Sequence, residues 1–255
     1  MKNIIAIANQ KGGVGKTTSI INIGSGLVKY GKKRVLIVDL DPQGNATTGS
    51  GIEKNSLEVS IYDVMLKHSE IHDAILKSET CGYDILPANR NLAGAEIELV
   101  NTPNREYQLK EVLSKVSSSY DVILIDCPPS LNLLTLNGLA AANKLIVPIQ
   151  CEYYALEGLT DLLNTVELLK NGINPNLELL GLIRTMFDSR NNLAQQVSAE
   201  LSKHFGDKVF KTSIPRNVRL AEAPSFGVAA ILLDTTATGS VAYKALAKEL
   251  KAIIF

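Results

Sequence analysis

Short runs of Ile, Leu and Val punctuate the chain at residues 4–8, 35–38, 122–125, 145–149 and 179–183, with apolar side chains following one another without alternation. A strand that is apolar on both sides has both faces covered, as in a parallel sheet flanked by helices. Between these runs the period lengthens. Over residues 16–30, Ile20, Ile23, Leu27 and Tyr30 recur at three- and four-residue spacing and Gly31 follows as a natural stop, which predicts an amphipathic helix. Over residues 106–117, Leu109, Val112, Leu113 and Val116 form a second apolar stripe, with Asn104 placed as an N-cap. This alternation predicts α/β architecture: a single domain over residues 1–255, built on one doubly wound, mostly parallel sheet with helices on both faces. Residues 40–58 and 223–239 show no clear period and are expected to be loops that respond to ligand.

Composition narrows the class. The 255 residues are 45% apolar and 20% charged, as in soluble globular proteins, and suffice for a sizeable core. Lys plus Arg equals Asp plus Glu at 26 each, so any surface for nucleic acid or membrane must be local. Cys81, Cys127 and Cys151 are scattered and odd in number, which fits a reducing compartment and buried small apolar residues. The apolar run after Lys2 ends at Asn9, without the form of a signal peptide, and no run approaches the roughly 18 residues of a membrane span. A cytoplasmic protein is expected.

The candidate chemistry sits at strand ends. Gln10-Lys11-Gly12-Gly13-Val14-Gly15-Lys16-Thr17-Thr18 follows a predicted strand and opens a predicted helix, the context of a phosphate-binding loop. Its glycines allow backbone N–H groups to converge on phosphate oxygens, aided by the helix dipole. Lys16 would neutralise the β and γ phosphates of ATP, and the Thr17 hydroxyl would hold Mg²⁺. The second strand delivers Asp39 and Asp41 to the same edge, where carboxylates beside a triphosphate would be repelled unless they serve the metal or the attacking water. The third, Val122 through Ile125, ends at Asp126, placed to orient Mg²⁺ as in a Walker B strand.

Gln10 stands where the usual first glycine would be, and Lys11 precedes the glycine pair, so the loop resembles the deviant Walker A motif of the ParA/MinD family of P-loop NTPases. That resemblance implies that Lys11 reaches across a homodimer to the facing subunit's nucleotide, that Asp41 positions the attacking water and that Asp39 belongs to the Mg²⁺ surroundings. Asp41-Pro42-Gln43-Gly44-Asn45-Ala46-Thr47 resembles the ParA/Soj branch in particular, and no cysteine pair has the surroundings of iron–sulfur ligands. A second ParA-like block, Ser213-Ile214-Pro215-Arg216-Asn217-Val218-Arg219, implies purine contacts from Pro215 and Asn217. The likeness spans nearly the whole chain and is to the short chromosomal type. It implies a weak ATP hydrolase, giving ADP and phosphate, that dimerises with ATP, binds DNA non-specifically and is stimulated by a ParB-like activating protein.

Charge gives a separate indication. Residues 184–219 hold seven Lys or Arg (184, 190, 203, 208, 211, 216, 219) against three acids, a local excess able to neutralise DNA phosphates without reading bases. Resemblance assigns Arg190 and Arg219 to the DNA backbone. The chain departs from the family pattern at Val228-Ala229, where relatives carry Lys-Pro, removing one cation. The rival expectation is a MinD-like membrane-surface ATPase, supported by the apolar and basic tail 241–255, but that tail reads more simply as a final helix packed on the sheet.

Overall fold

The computed structural model describes residues 3–255; Lys2 lies outside the described residues. Seven strands, β1 (Asn3–Ile7), β2 (Val35–Asp39), β3 (Leu76–Lys77), β4 (Asp84–Leu86), β5 (Val122–Asp126), β6 (Lys144–Gln150) and β7 (Glu178–Thr185), form one sheet in the order β3-β4-β2-β5-β1-β6-β7. Every pairing is parallel except β3 with β4. The expected mostly parallel sheet with helices is therefore the observed one.

The unbroken apolar strands serve two cores at once. Because successive side chains point to opposite faces, Ile5 and Ile7 of β1, Ile37 of β2 and Leu124 of β5 pack with Ile20, Ile23 and Leu27. Their neighbours Ala6, Leu36, Val38, Ile123 and Ile125 pack with Leu109, Leu134 and Leu159 on the other side. The first face is covered by helices Lys16–Lys29 and Thr238–Ile254, and the second by Gln108–Ser114, Leu133–Ala141, Ala155–Gly172 and Asn192–Phe205. Tyr243, Leu246 and Leu250 commit the final helix to the first core. No helix among the described residues is long and apolar enough to cross a membrane.

Three local expectations are refined. The first helix does stop before Gly31, but the left-handed residue is Lys32, at φ 55°. Gly31 is required by proximity instead, since a Cβ there would lie 2.4 Å from the Leu27 carbonyl oxygen. Asn104 makes no capping bond: a 3-10 turn, Arg105–Tyr107, separates it from helix Gln108–Ser114. The two aperiodic stretches are not simple loops. They contain helices Asn45–Gly49 and Ala230–Leu233 and 3-10 turns Lys54–Ser56 and Ala223–Phe226, each too short to display a period. They also touch, because a Cβ on Gly227 would lie 2.6 Å from Gly51 Cα.

Candidate nucleotide-binding site

The register of the central strands gathers the site. Asp39 and Asp126 are paired positions of β2 and β5, and Ile7, from which the glycine loop departs, is paired with Asp126 on the other side. In the loop, Gly13 and Gly15 have φ values of 74° and 86°, which L side chains rarely adopt. Gly15 is the N-cap of helix Lys16–Lys29 and no side chain caps it, so the first amides and the positive end of a 14-residue helix dipole face the loop. Gly12 and Gly13 have no heavy atom within 4 Å of an added Cβ, so the loop backbone is open to close approach.

Lys16 is 7% exposed, and its ammonium lies under the loop, donating to the carbonyls of Asn9 at 3.0 Å and Lys11 at 3.2 Å. Burial pulls its pKa below the ordinary lysine value, opposed by the nearby carboxylates of Asp126 and Asp41. Thr17 Oγ1 donates to Asp126 Oδ2 at 2.7 Å, while Asp126 Oδ1 is buried and accepts no hydrogen bond. Burial, reinforced by the nearby Asp39 charge, pushes the Asp126 carboxyl well above its usual range. Asp39 is fully buried too and pushed up to about 6, mainly by burial. Its Oδ2 accepts from both Thr47 N and Thr47 Oγ1 at 2.7 Å, and its Oδ1 from Asp41 N at 3.2 Å. Thr47 Oγ1 in turn accepts from Ala88 N at 2.9 Å. Asp41 projects beyond the strand, with Oδ1 accepting from Gln43 N at 2.9 Å.

These residues fit Mg²⁺. A hydroxyl and an unpartnered buried carboxylate oxygen are what a nucleotide-borne divalent cation would satisfy, and such a cation would oppose the burial that now raises Asp126. No group of three or more His, Cys, Asp or Glu placed to hold a metal occurs among the described residues; a cation carried by phosphates needs no such cage. Beside the loop, a cavity of about 160 Å³ is bounded by Gly15 and Thr18 on one side and by Ile214, Pro215, Asn217 and Tyr243 on the other. Asn217 is held there by its own capping bond to Arg219 N at 3.0 Å and by donation to Thr238 Oγ1 at 2.9 Å.

Comparison with known proteins agrees with this geometry. A family described as AAA domain matches residues 2–179. The sporulation initiation inhibitor protein Soj of Bacillus subtilis is 54% identical over 252 residues, covering 99% of each chain. The chromosome partitioning protein ParA of Caulobacter vibrioides is 49% identical, covering 96% of this chain and 92% of that one. The chain belongs to the ParA/Soj family of chromosome-partitioning ATPases. Its fold is shared with a solved cobyrinic acid a,c-diamide synthase from Mycobacterium smegmatis bound to an ATP analogue and magnesium, at TM-score 0.86, 40% identity and coverage of 97% and 93%. The septum site-determining protein MinD of Pyrococcus horikoshii, complexed with Mg-ADP, matches at TM-score 0.78 and 26% identity, covering 98% and 96%.

In this ParA/Soj-family chain the deviant lysine has a partner that sequence reasoning missed. Lys11 Nζ, half-exposed, forms an ion pair with Glu152 Oε2 just beyond β6, while Lys11 N donates to Asn9 Oδ1 at 2.9 Å. An isolated Glu after a strand carries no signal that would have revealed this. The basic segment is also less free than its composition indicates. Arg184 turns inward to Ser198 Oγ and the carbonyls of Phe210 and Lys211. Arg190 pairs with Asp188, Arg219 with Glu222 and Asp234, and Lys203 with Glu200. Among the described residues, Lys208, Lys211 and Arg216 are exposed and have no ion pair.

Proposed function

We propose that the chain is a Mg²⁺-dependent ATP hydrolase whose ATP-bound form is a homodimer that holds DNA non-specifically, and that a ParB-like partner stimulates its weak turnover. The observation that carries this is the meeting at one sheet edge of the glycine loop, buried Lys16 and the Thr17–Asp126 pair with its unpartnered oxygen. Lys16 and the amides of Gly12, Gly13, Val14, Gly15 and Thr18 would bind the phosphates, and Thr17 and Asp126 would hold the metal with Asp39 behind them. Mg²⁺ bound there would neutralise phosphate charge as the terminal phosphoryl group leaves. Asp41, the carboxylate not locked into the strand row, would orient the attacking water. Pro215 and Asn217 would flank the purine in the cavity beside Gly15.

Lys11 supports the dimer reading because it is the loop's exposed cation and its salt bridge is solvent-accessible, worth at most about 1 kcal/mol. Release from Glu152 to meet a second subunit's phosphates is therefore cheap. Joining two weak basic surfaces in one rigid dimer multiplies their affinity for a polyanion, so dimerisation would act as the DNA switch and place the ATP form on the nucleoid. DNA retention on a filter with ATP and with ADP tests this coupling. Retention should require ATP and fall steeply with salt; equal retention with both nucleotides would refute it.

A further inference from the structure

The cavity beside Gly15 has an apolar wall in Ile214, Pro215 and Leu220, and two of the polar side chains that line it are engaged elsewhere. Thr185 Oγ1 donates to Val14 O at 2.8 Å, and Tyr243 OH shares a hydrogen bond of 2.9 Å with Ser19 Oγ. Asn217 brings the one carboxamide of the lining, a group that holds a donor and an acceptor side by side.

The start of the final helix decides how that carboxamide stands. Gly239 lets helix Thr238–Ile254 come close, since a Cβ there would lie 2.7 Å from Leu220 Cγ and 3.1 Å from Asn217 Cβ. Beside it, Thr238 Oγ1 accepts from Asn217 Nδ2 at 2.9 Å, while Asn217 Oδ1 accepts from Arg219 N at 3.0 Å. A flipped carboxamide would set Nδ2 against the Arg219 N–H, donor against donor, and a rotated one would lose Thr238. The helix start is itself anchored. Asp234 Oδ1 accepts from Thr236 N at 3.0 Å, Thr236 Oγ1 at 2.8 Å and Ala237 N at 3.1 Å, and Asp234 Oδ2 lies 3.5 Å from Arg219 Nε. Thr238 and the turn that carries Asn217 are therefore held to one another.

With these two bonds made, Asn217 keeps one hydrogen on Nδ2 and one lone pair on Oδ1 for a ligand. An adjacent donor and acceptor complement the N7 and N6 amino group of adenine. Guanine presents two acceptors on the same edge, O6 and N7, so one bond would be lost and two acceptors would be left facing each other. Rejection by unpaired polar groups is a strong form of discrimination. Arg216 also lines the cavity and would favour guanine, but it is exposed whereas Asn217 is half-buried.

We infer that Thr238 is a positioning residue for purine choice: by holding the Asn217 carboxamide in one orientation, it makes the site prefer adenine to guanine nucleotides. The inference rests on the reading above of Pro215 and Asn217 as neighbours of the purine. Calorimetric titration of the full chain with Mg²⁺ and either ATP or GTP tests it. Wild type should prefer ATP by roughly tenfold or more. Thr238→Val should narrow that ratio about three- to tenfold through weaker ATP binding, with GTP affinity nearly unchanged, and Thr238→Ser, which keeps the hydroxyl, should restore it. Equal weakening of both nucleotides by Thr238→Val would make Thr238 a structural residue and overturn the inference. A wild-type preference for GTP would give the base edge to Arg216 and overturn it too. If the ATP preference survives Thr238→Val, Asn217→Ala separates the two readings: weaker ATP binding in that variant would leave Asn217 beside the purine and remove Thr238 alone, whereas unchanged binding would sink both.

Discussion

Asp39 and Asp126 share a register position on adjacent strands, out of contact with water, and this gives the nucleotide-free chain an unusual response to acid. Both carboxyls are raised mainly by burial, Asp39 to about 6, whereas an unfolded aspartate titrates near ~4. As pH rises from about 4 to about 6 the folded state holds more protons than the unfolded one, so stability falls with rising pH across that window. Asp188, held down to about 2 by Arg190, acts in the opposite sense but below it. Urea unfolding should show lower stability at about pH 6.5 than at about pH 4.5, and Asp39→Asn should flatten the difference; an unchanged slope would place the protons elsewhere. Asp41→Ala should retain ATP while losing phosphate release, and normal turnover by that variant would remove Asp41 from the chemistry. Lys16, Thr17 and Asp126 are legible in sequence because each has a fixed offset from a glycine loop or strand end. Thr47 is not, because its hydroxyl joins Asp39 to Ala88 N across two separate segments.

Helix packing turns two glycines into opposite predictions. A Cβ on Gly26 of helix Lys16–Lys29 would stand 2.6 Å from Ala247 Cβ on the final helix, and neither atom can rotate away. The helix-propensity gain of Gly26→Ala, about 1 kcal/mol, is set against overpacking of about 1–3 kcal/mol, so the variant should be less stable by up to about 2 kcal/mol. Gly158, inside helix Ala155–Gly172, has nothing within 4 Å of an added Cβ, and Gly158→Ala should be more stable by up to about 1 kcal/mol. Chemical denaturation distinguishes them, and a shared sign would contradict this account of the packing. The five long strands were visible because each is apolar on both faces. β4 was hidden by its three-residue length, and β3 by having both residues exposed. Gly31 was recognised as a stop, though the reason, contact with Leu27 O, appears only in three dimensions.

The whole molecule pairs a neutral total charge with uneven distribution. Counting residues gave the 184–219 segment four excess positive charges, but the count could not see Arg184 turned inward or Arg190 and Arg219 held by acids. A polyanion on this face would have to compete for those two arginines, while Lys208, Lys211 and Arg216 are exposed without an ion pair. Changing Lys211 and Arg216 together to Ala should shallow the salt dependence of ATP-state DNA binding by about two units of slope, with nucleotide uptake intact; an unaltered slope would remove this face from the DNA surface. The two consequences that concern turnover and DNA depend on the strand ends taking up a metal-bound adenine nucleotide. Isothermal titration calorimetry of the full chain with ATP, with and without Mg²⁺, measures that directly: one Mg²⁺-dependent site per chain, absent in Lys16→Ala, is the predicted result, and no Mg²⁺-dependent heat from the wild-type chain would contradict it.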